Sequence, residues 1–235
     1  MATDLLLNPT TVRGLRHQVV EQILRAIIRG QLPTGQRLVV QRLATQLNVS
    51  ATPAREALLE LANIGVADLL PNRGAVVRRF GPVELQEMYH LRRILEIEAT
   101  RCACRRIDRG ELSTLREEMR NLTEQSGDDW SRREMNSDRR LHELIARQCG
   151  NARLTQEIQR YDTLMQAIRD VVGDRRQAQE RAIVEHLVVV DGLLDEDSDR
   201  AAQGMTRHIE NTAEVVTATL FPRNDRDPES RVCSP

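Results

Sequence analysis

Apolar residues recur at helical spacing through most of this chain, and the places where the pattern fails divide it into elements. From Leu15 to Arg29, the residues Val19, Val20, Ile23, Leu24, Ile27 and Ile28 form a single stripe, which predicts an amphipathic helix. Gly30 stops it, and Gln31-Leu32-Pro33-Thr34-Gly35 predicts a turn, because proline lacks the donor that a helix interior needs. A short second helix follows with Leu43, Ala44 and Leu47 facing inward. Asn48-Val49-Ser50 breaks that pattern. Ser50 is placed to cap a third helix whose apolar positions are Ala54, Leu58, Leu61 and Ala62. Val66–Leu70 and Ala75–Arg79 then read as strands, joined by Pro71-Asn72-Arg73-Gly74, in which Gly74 can adopt positive φ.

From Pro82 onward there are neither strands nor repeats, only long amphipathic segments at about 82–106, 109–125, 129–149, 151–172, 176–195 and 198–220. Glycine- and aspartate-rich breaks separate them, and Asn151 after Gly150 reads as a helix-junction residue. Helices with such short connections predict an antiparallel bundle able to enclose a pocket. The expected fold is mainly α: an N-terminal winged helix-turn-helix with a small β-hairpin wing, then an all-α antiparallel helical bundle. The expected divisions are residues 1–80, residues 81–221, and a disordered tail at 222–235, where prolines and charges are scattered.

Composition sharpens this picture in three ways. Aromatics make up 2% of the chain against 40% hydrophobic residues, so the cores must be built from aliphatic side chains, which suits packed helices. The net charge of −1 conceals an asymmetry: ten Arg face five Asp and Glu in residues 1–80, whereas 24 face 30 in residues 81–235. Only the basic first part is suited to a polyanion. Four cysteines (Cys102, Cys104, Cys149 and Cys233) include no CxxC pair and read as small apolar residues rather than a zinc ribbon or disulfide framework. No stretch approaches the ~20 apolar residues that span a bilayer, and the first residues have no basic flank, so a cytoplasmic protein is expected, nucleoid-associated when bound to DNA.

Two short helices around a tight turn form a helix-turn-helix, whose second helix enters the major groove, and a basic hairpin after it is a wing. The blocks Gly30-Gln31-Leu32-Pro33-Thr34-Gly35-Gln36-Arg37-Leu38, Leu43-Ala44, Val49-Ser50-Ala51-Thr52-Pro53-Ala54-Arg55-Glu56-Ala57-Leu58 and Pro71-Asn72-Arg73-Gly74 resemble the GntR family over residues 12–80. The resemblance implies a homodimer on double-stranded DNA with a palindromic operator, because two-fold symmetry places two recognition helices one DNA turn apart. It implies DNA contacts from Arg37, Gln41, Arg42, Ser50, Thr52, Arg55, Arg73 and Gly74. Family members often carry Arg where this chain has Gln41 and Ala51, so no relative's operator sequence transfers. The alternative for Arg55 is a local ion pair.

Three of the five histidines lie in the bundle's second half: His142, His186 and His208. Asp138 precedes His142 by four residues, which sets carboxylate and imidazole on one helix face. One carboxylate with three imidazoles suits a divalent transition metal such as zinc, nickel or manganese; the alternative is core histidines satisfied by hydrogen bonds. Asp138-Arg139-Arg140-Leu141-His142, Glu185-His186, Arg207-His208-Ile209 and the segment Tyr89–Glu96 resemble the FCD ligand-binding domain of the FadR subfamily. Leu141 stands where that family more often has Phe. The resemblance implies that Asp138, His142, His186 and His208 hold a metal, zinc foremost, and that Arg92 pairs with the carboxylate of a small organic acid effector. Against this, Arg92 can instead bond Glu96 or Glu98.

A metal-dependent hydrolase is the competing class. His142-Glu143-Leu144-Ile145-Ala146-Arg147 has Arg where a zincin needs its second histidine, and no other base stands out, so an enzyme is not expected. A ligand-free dimerisation protein accounts for the bundle but not for the four-residue set. The function expected is a DNA-binding transcriptional regulator, by family habit a repressor, whose operator affinity responds to a small carboxylate.

Overall fold

The computed structural model describes residues 9–124 and 126–222, with side chains from residue 14 onward. The tail expected at 222–235 and Cys233 lie almost wholly outside the described residues. Helix α1 (Pro9–Ile28) buries the whole stripe from Val19 to Ile28. It starts earlier than Leu15 because proline is well tolerated in a helix's first turn. Helices α2 (Val40–Gln46) and α3 (Ala51–Ile64) flank a four-residue turn, 47–50, in which Asn48 adopts φ of 51°. Ser50 occupies the cap position of α3 with extended backbone, but its hydroxyl makes no capping bond. The expected position is right and the expected hydrogen bond is not made.

The wing has one strand more than the sequence suggested. Strands β1 (Arg37–Leu38), β2 (Ala67–Leu70) and β3 (Gly74–Val77) form an antiparallel sheet in the order β1-β3-β2. β1 pairs Leu38 with Ala75 and Arg37 with Val76. A two-residue strand has no periodicity to read, so only its partner was legible. Gly74 has φ of 91°, and a Cβ there would lie 2.0 Å from the Leu38 carbonyl oxygen. The residue is glycine both for its backbone and for the approach of β1. Gly74→Ala is expected to destabilise the protein by about 1–3 kcal/mol, read as a lowered denaturation midpoint.

Beyond Gly81 run α4 (Pro82–Ala103), α5 (Arg109–Glu124), α6 (Trp130–Gln148), α7 (Ala152–Val172), α8 (Arg176–Leu194) and α9 (Ser198–Leu220). Each falls within about three residues of its expected bounds. Asn151 caps α7 by accepting from the Arg153 and Leu154 backbone amides, as a junction residue should. α8 and α9 pack along their length, α9 also lies on α4, and α6 packs against α4. The α8–α9 approach depends on two glycines. A Cβ at Gly192 would lie 2.6 Å from the Ala201 nitrogen, and one at Gly204 would lie 3.0 Å from Val189. This close packing brings His186 on α8 beside His208 on α9.

The winged part rests on the bundle through α1 against α7. Arg25 on α1 donates to Asp170 on α7 through Nε at 3.1 Å and Nη2 at 2.6 Å. No helix among the described residues is long and apolar enough to cross a membrane. Cys104 and Cys149 are buried and Cys102 half-buried, all three as free thiols.

Candidate metal centre and nucleic-acid interface

Four side chains from three helices converge in the bundle. Asp138 and His142 come from α6, His186 from α8 and His208 from α9, and one ligand atom from each lies within 4.8 Å of all the others. All four residues are buried. Asp138 Oδ1 stands 3.8 Å from His142 Nε2, 3.5 Å from His186 Nε2 and 3.8 Å from His208 Nε2. The Nε2 atoms of His186 and His208 are 3.1 Å apart. Neighbouring ligands at metal–ligand distances near ~2.1 Å are separated by about 3–3.5 Å, so these spacings approximate one coordination shell. The same rings also make hydrogen-bond contacts, His142 Nδ1 with Glu96 and His186 Nε2 with His208 Nε2, as the competing expectation of hydrogen-bonded core histidines has it.

Groups behind the cluster fix how the rings face. Glu96 on α4 contacts His142 Nδ1, which leaves Nε2 directed at the centre. Glu185 lies 3.5 Å from His208 Nδ1, a nitrogen with no hydrogen-bond partner of its own. Arg169 on α7 brings Nη1 to 2.5 Å from Asp138 Oδ2, close but poorly aligned, since that oxygen has no well-formed hydrogen bond. The atoms turned toward the centre are instead Asp138 Oδ1 and the three imidazole Nε2 atoms, a donor set that fits a cation.

The electrostatics agree with the geometry. Burial alone would raise the Asp138 carboxyl, but Arg169 and the three imidazoles hold it well below the usual carboxylate range. Burial, with His208 adding to it, holds His186 well below the ordinary histidine range; burial and His142 push His208 down to about 3. Both rings are therefore neutral near neutral pH, the form in which imidazole ligates metal. The unfolded chain's histidines take up protons near pH ~6.5 while the folded rings do not, so acid favours unfolding. Asp138 acts only at lower pH: its stabilisation is complete above about pH 4 and is lost as pH falls through its depressed folded value. Lowering the pH from about 7.5 to about 5.5 is thus expected to reduce the Tm of metal-stripped protein and to release bound metal. Melts and elemental analysis at each pH check this; a flat Tm across that interval contradicts the neutral rings.

Arg92 is buried and pairs with Glu96 at 2.5 Å, the local partner that stood as the alternative. The pairing does not exhaust it. Nη2 lies 3.4 Å from both ring nitrogens of His142, and Nη1 has no hydrogen-bond partner. Glu96 thus serves Arg92 and His142 together. Burial opposes its ionisation, but those two partners hold its carboxyl well below the ordinary range. Glu98, the other alternative, instead accepts from the Cys102 thiol. Sequence reasoning missed Arg169 and the role of Glu185, whose partners come from other helices at no fixed spacing.

The DNA-facing candidates lie together on the winged part. Gln41 and Arg42 sit on α2, Ser50 at the start of α3, and Thr52 and Arg55 in its first turns, all exposed. Among the described residues Arg55 has no ion pair. Arg73 is exposed in the wing turn beside half-buried Gly74. Arg37 is exposed but braces the wing, donating through Nε and Nη2 to the Arg73 carbonyl at 3.3 Å each. Arg78 and Arg79, the basic end of the hairpin, lie near Asp68 and Glu84, which lowers the wing's free charge.

A winged helix-turn-helix carried on a helical domain is the architecture of a DNA-binding transcriptional regulator. Residues 15–77 match the family described as bacterial regulatory proteins, gntR family, and residues 87–211 match the FCD domain. The chain belongs to the GntR family and carries an FCD domain. It is similar to the HTH-type transcriptional repressor RspR of Escherichia coli, 23% identical over 92% of this chain and 94% of that protein. It is also similar to the Nta operon transcriptional regulator of Aminobacter aminovorans, 28% identical over 83% of this chain and 94% of that one. The solved structure of E. coli McbR/YncC shares the fold, with a TM-score of 0.63 and 22% identity over 86% of this chain and 96% of that chain. The chain is a regulator and not an enzyme. Glu143, the nearest thing to a catalytic base, is tied to Arg139 at 2.6 Å.

Proposed function

We propose that residues 1–80 bind a palindromic operator as part of a homodimer and that residues 81–221 sense a small carboxylate at a metal centre. The observation that carries this is the buried set Asp138, His142, His186 and His208, one carboxylate facing three imidazoles. A zinc ion in such a set supplies a Lewis-acid anchor with room for an oxygen ligand; nickel and manganese are the other candidates. Arg92 lies beside His142 with Nη1 unpartnered, placed to bond the carboxylate of an organic acid. Glu96 orients both groups.

On the DNA side, Arg55, Thr52 and Ser50 present their polar groups from the start of the recognition helix, with Gln41 and Arg42 next to them. Arg73 and Gly74 lead the wing toward the backbone, and Arg37 sets its angle. Exposed Leu91 and Ile94 on one face of α4 support a bundle-mediated dimer. The similarity to RspR, a transcriptional repressor, supports repression as the direction of control.

Elemental analysis of protein purified without added chelator tests the site. About one zinc, nickel or manganese per chain is expected. No metal after incubation with each of the three ions overturns the metal-centred reading.

A further inference from the structure

Two successive residues of α7 face two different partners. Arg169 brings Nη1 to 2.5 Å from Asp138 Oδ2 inside the bundle, and Asp170 accepts from Arg25 of α1 in the winged part. We propose that this last turn of α7 links the two: Arg169 responds to the charge at Asp138, and Asp170 carries the response to the winged part through Arg25. The proposal rests on the metal-centred reading above and adds the residues by which that centre bears on DNA binding.

The Asp138 carboxylate is shared. Oδ1 faces the three imidazoles at 3.5–3.8 Å, and Oδ2 faces Arg169. The Arg169 contact is close but poorly aligned, so charge holds it more than hydrogen-bond geometry does. A cation taken at Oδ1 competes with the guanidinium for one negative charge, and two positive groups on one carboxylate repel each other. Arg169 is only partly buried, so it has water to turn to when the carboxylate is claimed. The competition is reciprocal: whatever holds Arg169 against Asp138 opposes the cation, and the cation opposes that hold.

The same turn is where the bundle grips the winged part. Asp170 Oδ2 accepts from Arg25 Nε at 3.1 Å and Nη2 at 2.6 Å, while Oδ1 accepts from Gln166 Nε2 at 3.2 Å. Glu21, one turn before Arg25 on α1, takes a further bond from Arg25 Nη2 at 3.2 Å. Both carboxylate oxygens of Asp170 are engaged, so the grip is directed and registers small movements. Successive side chains on a helix point about 100° apart, which lets one turn face both Asp138 and Arg25. α7 ends at Val172, and Gly173 follows with φ of 69°. The carbonyls of a last turn have no partner further along the helix, so that turn shifts without moving the rest of α7. A displacement of Arg169 from Asp138 moves Asp170 with it, because the two share a peptide unit.

The test uses full-length protein with zinc as the probe, its affinity read by competition with a chelating dye. Arg25→Gln changes no residue of the bundle, yet it is expected to free the α7 turn and tighten zinc binding by about threefold or more. Asp170→Asn is expected to act in the same direction, and the double variant no further than either single one. The pair is partly exposed, so breaking it leaves both groups within reach of water and the chain folded. A clamp with only a structural role does not move zinc affinity. Affinity within about twofold of wild type, or weaker, in either folded variant overturns the proposal. Operator titrations then compare metal-stripped, zinc-loaded and zinc-plus-succinate protein. A change in wild-type operator affinity is expected to shrink by about threefold or more in Arg25→Gln, and an equal change in the variant overturns the proposal. A wild type that binds zinc but never changes its operator affinity contradicts the regulatory reading instead, while the shifted zinc affinity of Arg25→Gln leaves the linkage standing. Protein that takes up no zinc overturns the metal-centred reading and the proposal with it.

Discussion

Asp138→Asn is expected to abolish metal retention while leaving a folded protein. The substitution keeps the shape of the side chain and removes the one carboxylate among the described residues that faces all three imidazoles, at 3.5–3.8 Å. Loss of a supporting group around a metal ligand costs about 10–100-fold in affinity, and loss of the anionic ligand itself is expected to reach at least the upper end of that range. Stability falls less than a fully buried broken pair would imply. Arg169, which loses its partner, is 21% exposed and keeps some access to water. About 1–3 kcal/mol is expected. Elemental analysis and thermal melts of the variant check both statements. Wild-type zinc content in Asp138→Asn contradicts the assignment.

Arg55→Ala is the second large effect, and it lies at the other end of the molecule. Arg55 stands exposed near the start of α3 without an ion pair among the described residues, so its loss removes no contact that holds the fold. If it reads a base edge, its removal costs about 1–3 kcal/mol, or about 5- to 150-fold in operator affinity, and relaxes the preference at one position. If it contacts a phosphate, binding weakens on every sequence and the salt dependence falls by about one charge. Operator titrations at two salt concentrations separate the two, with zinc content and Tm expected unchanged. Wild-type affinity in this variant contradicts the placement of α3 in the groove.

Most of the helical architecture was legible because amphipathic spacing and helix breakers are local properties. The stripe from Val19 to Ile28 and the junction at Gly150-Asn151 carry their own signals, and the structure follows them. β1 was not legible: Arg37 and Leu38 form a strand only because β3 runs beside them, and two residues have no pattern of their own. The four-residue cluster was half legible. The spacing of Asp138 and His142 is a property of one helix, but the meeting of His186 with His208 depends on how closely α8 and α9 approach at Gly192 and Gly204. Arg169 and the contact of Glu185 with His208 were not legible, because those partners sit on other helices. Arg92 shows the limit most clearly. Of its two expectations the pairing with Glu96 is made, and Nη1 has no hydrogen-bond partner.

The measurement that bears most directly on the whole account is an operator titration on the chain's own upstream DNA. It compares wild type stripped of metal, wild type loaded with zinc, and zinc-loaded wild type with a bound carboxylate, alongside Asp138→Asn under the same conditions. The account predicts that the acid changes operator affinity of the zinc-loaded protein by about 5- to 150-fold and that Asp138→Asn shows no such change. Equal operator affinity in every wild-type condition, with zinc and acid both shown to be bound, contradicts control of DNA binding from the buried Asp138, His142, His186 and His208 centre.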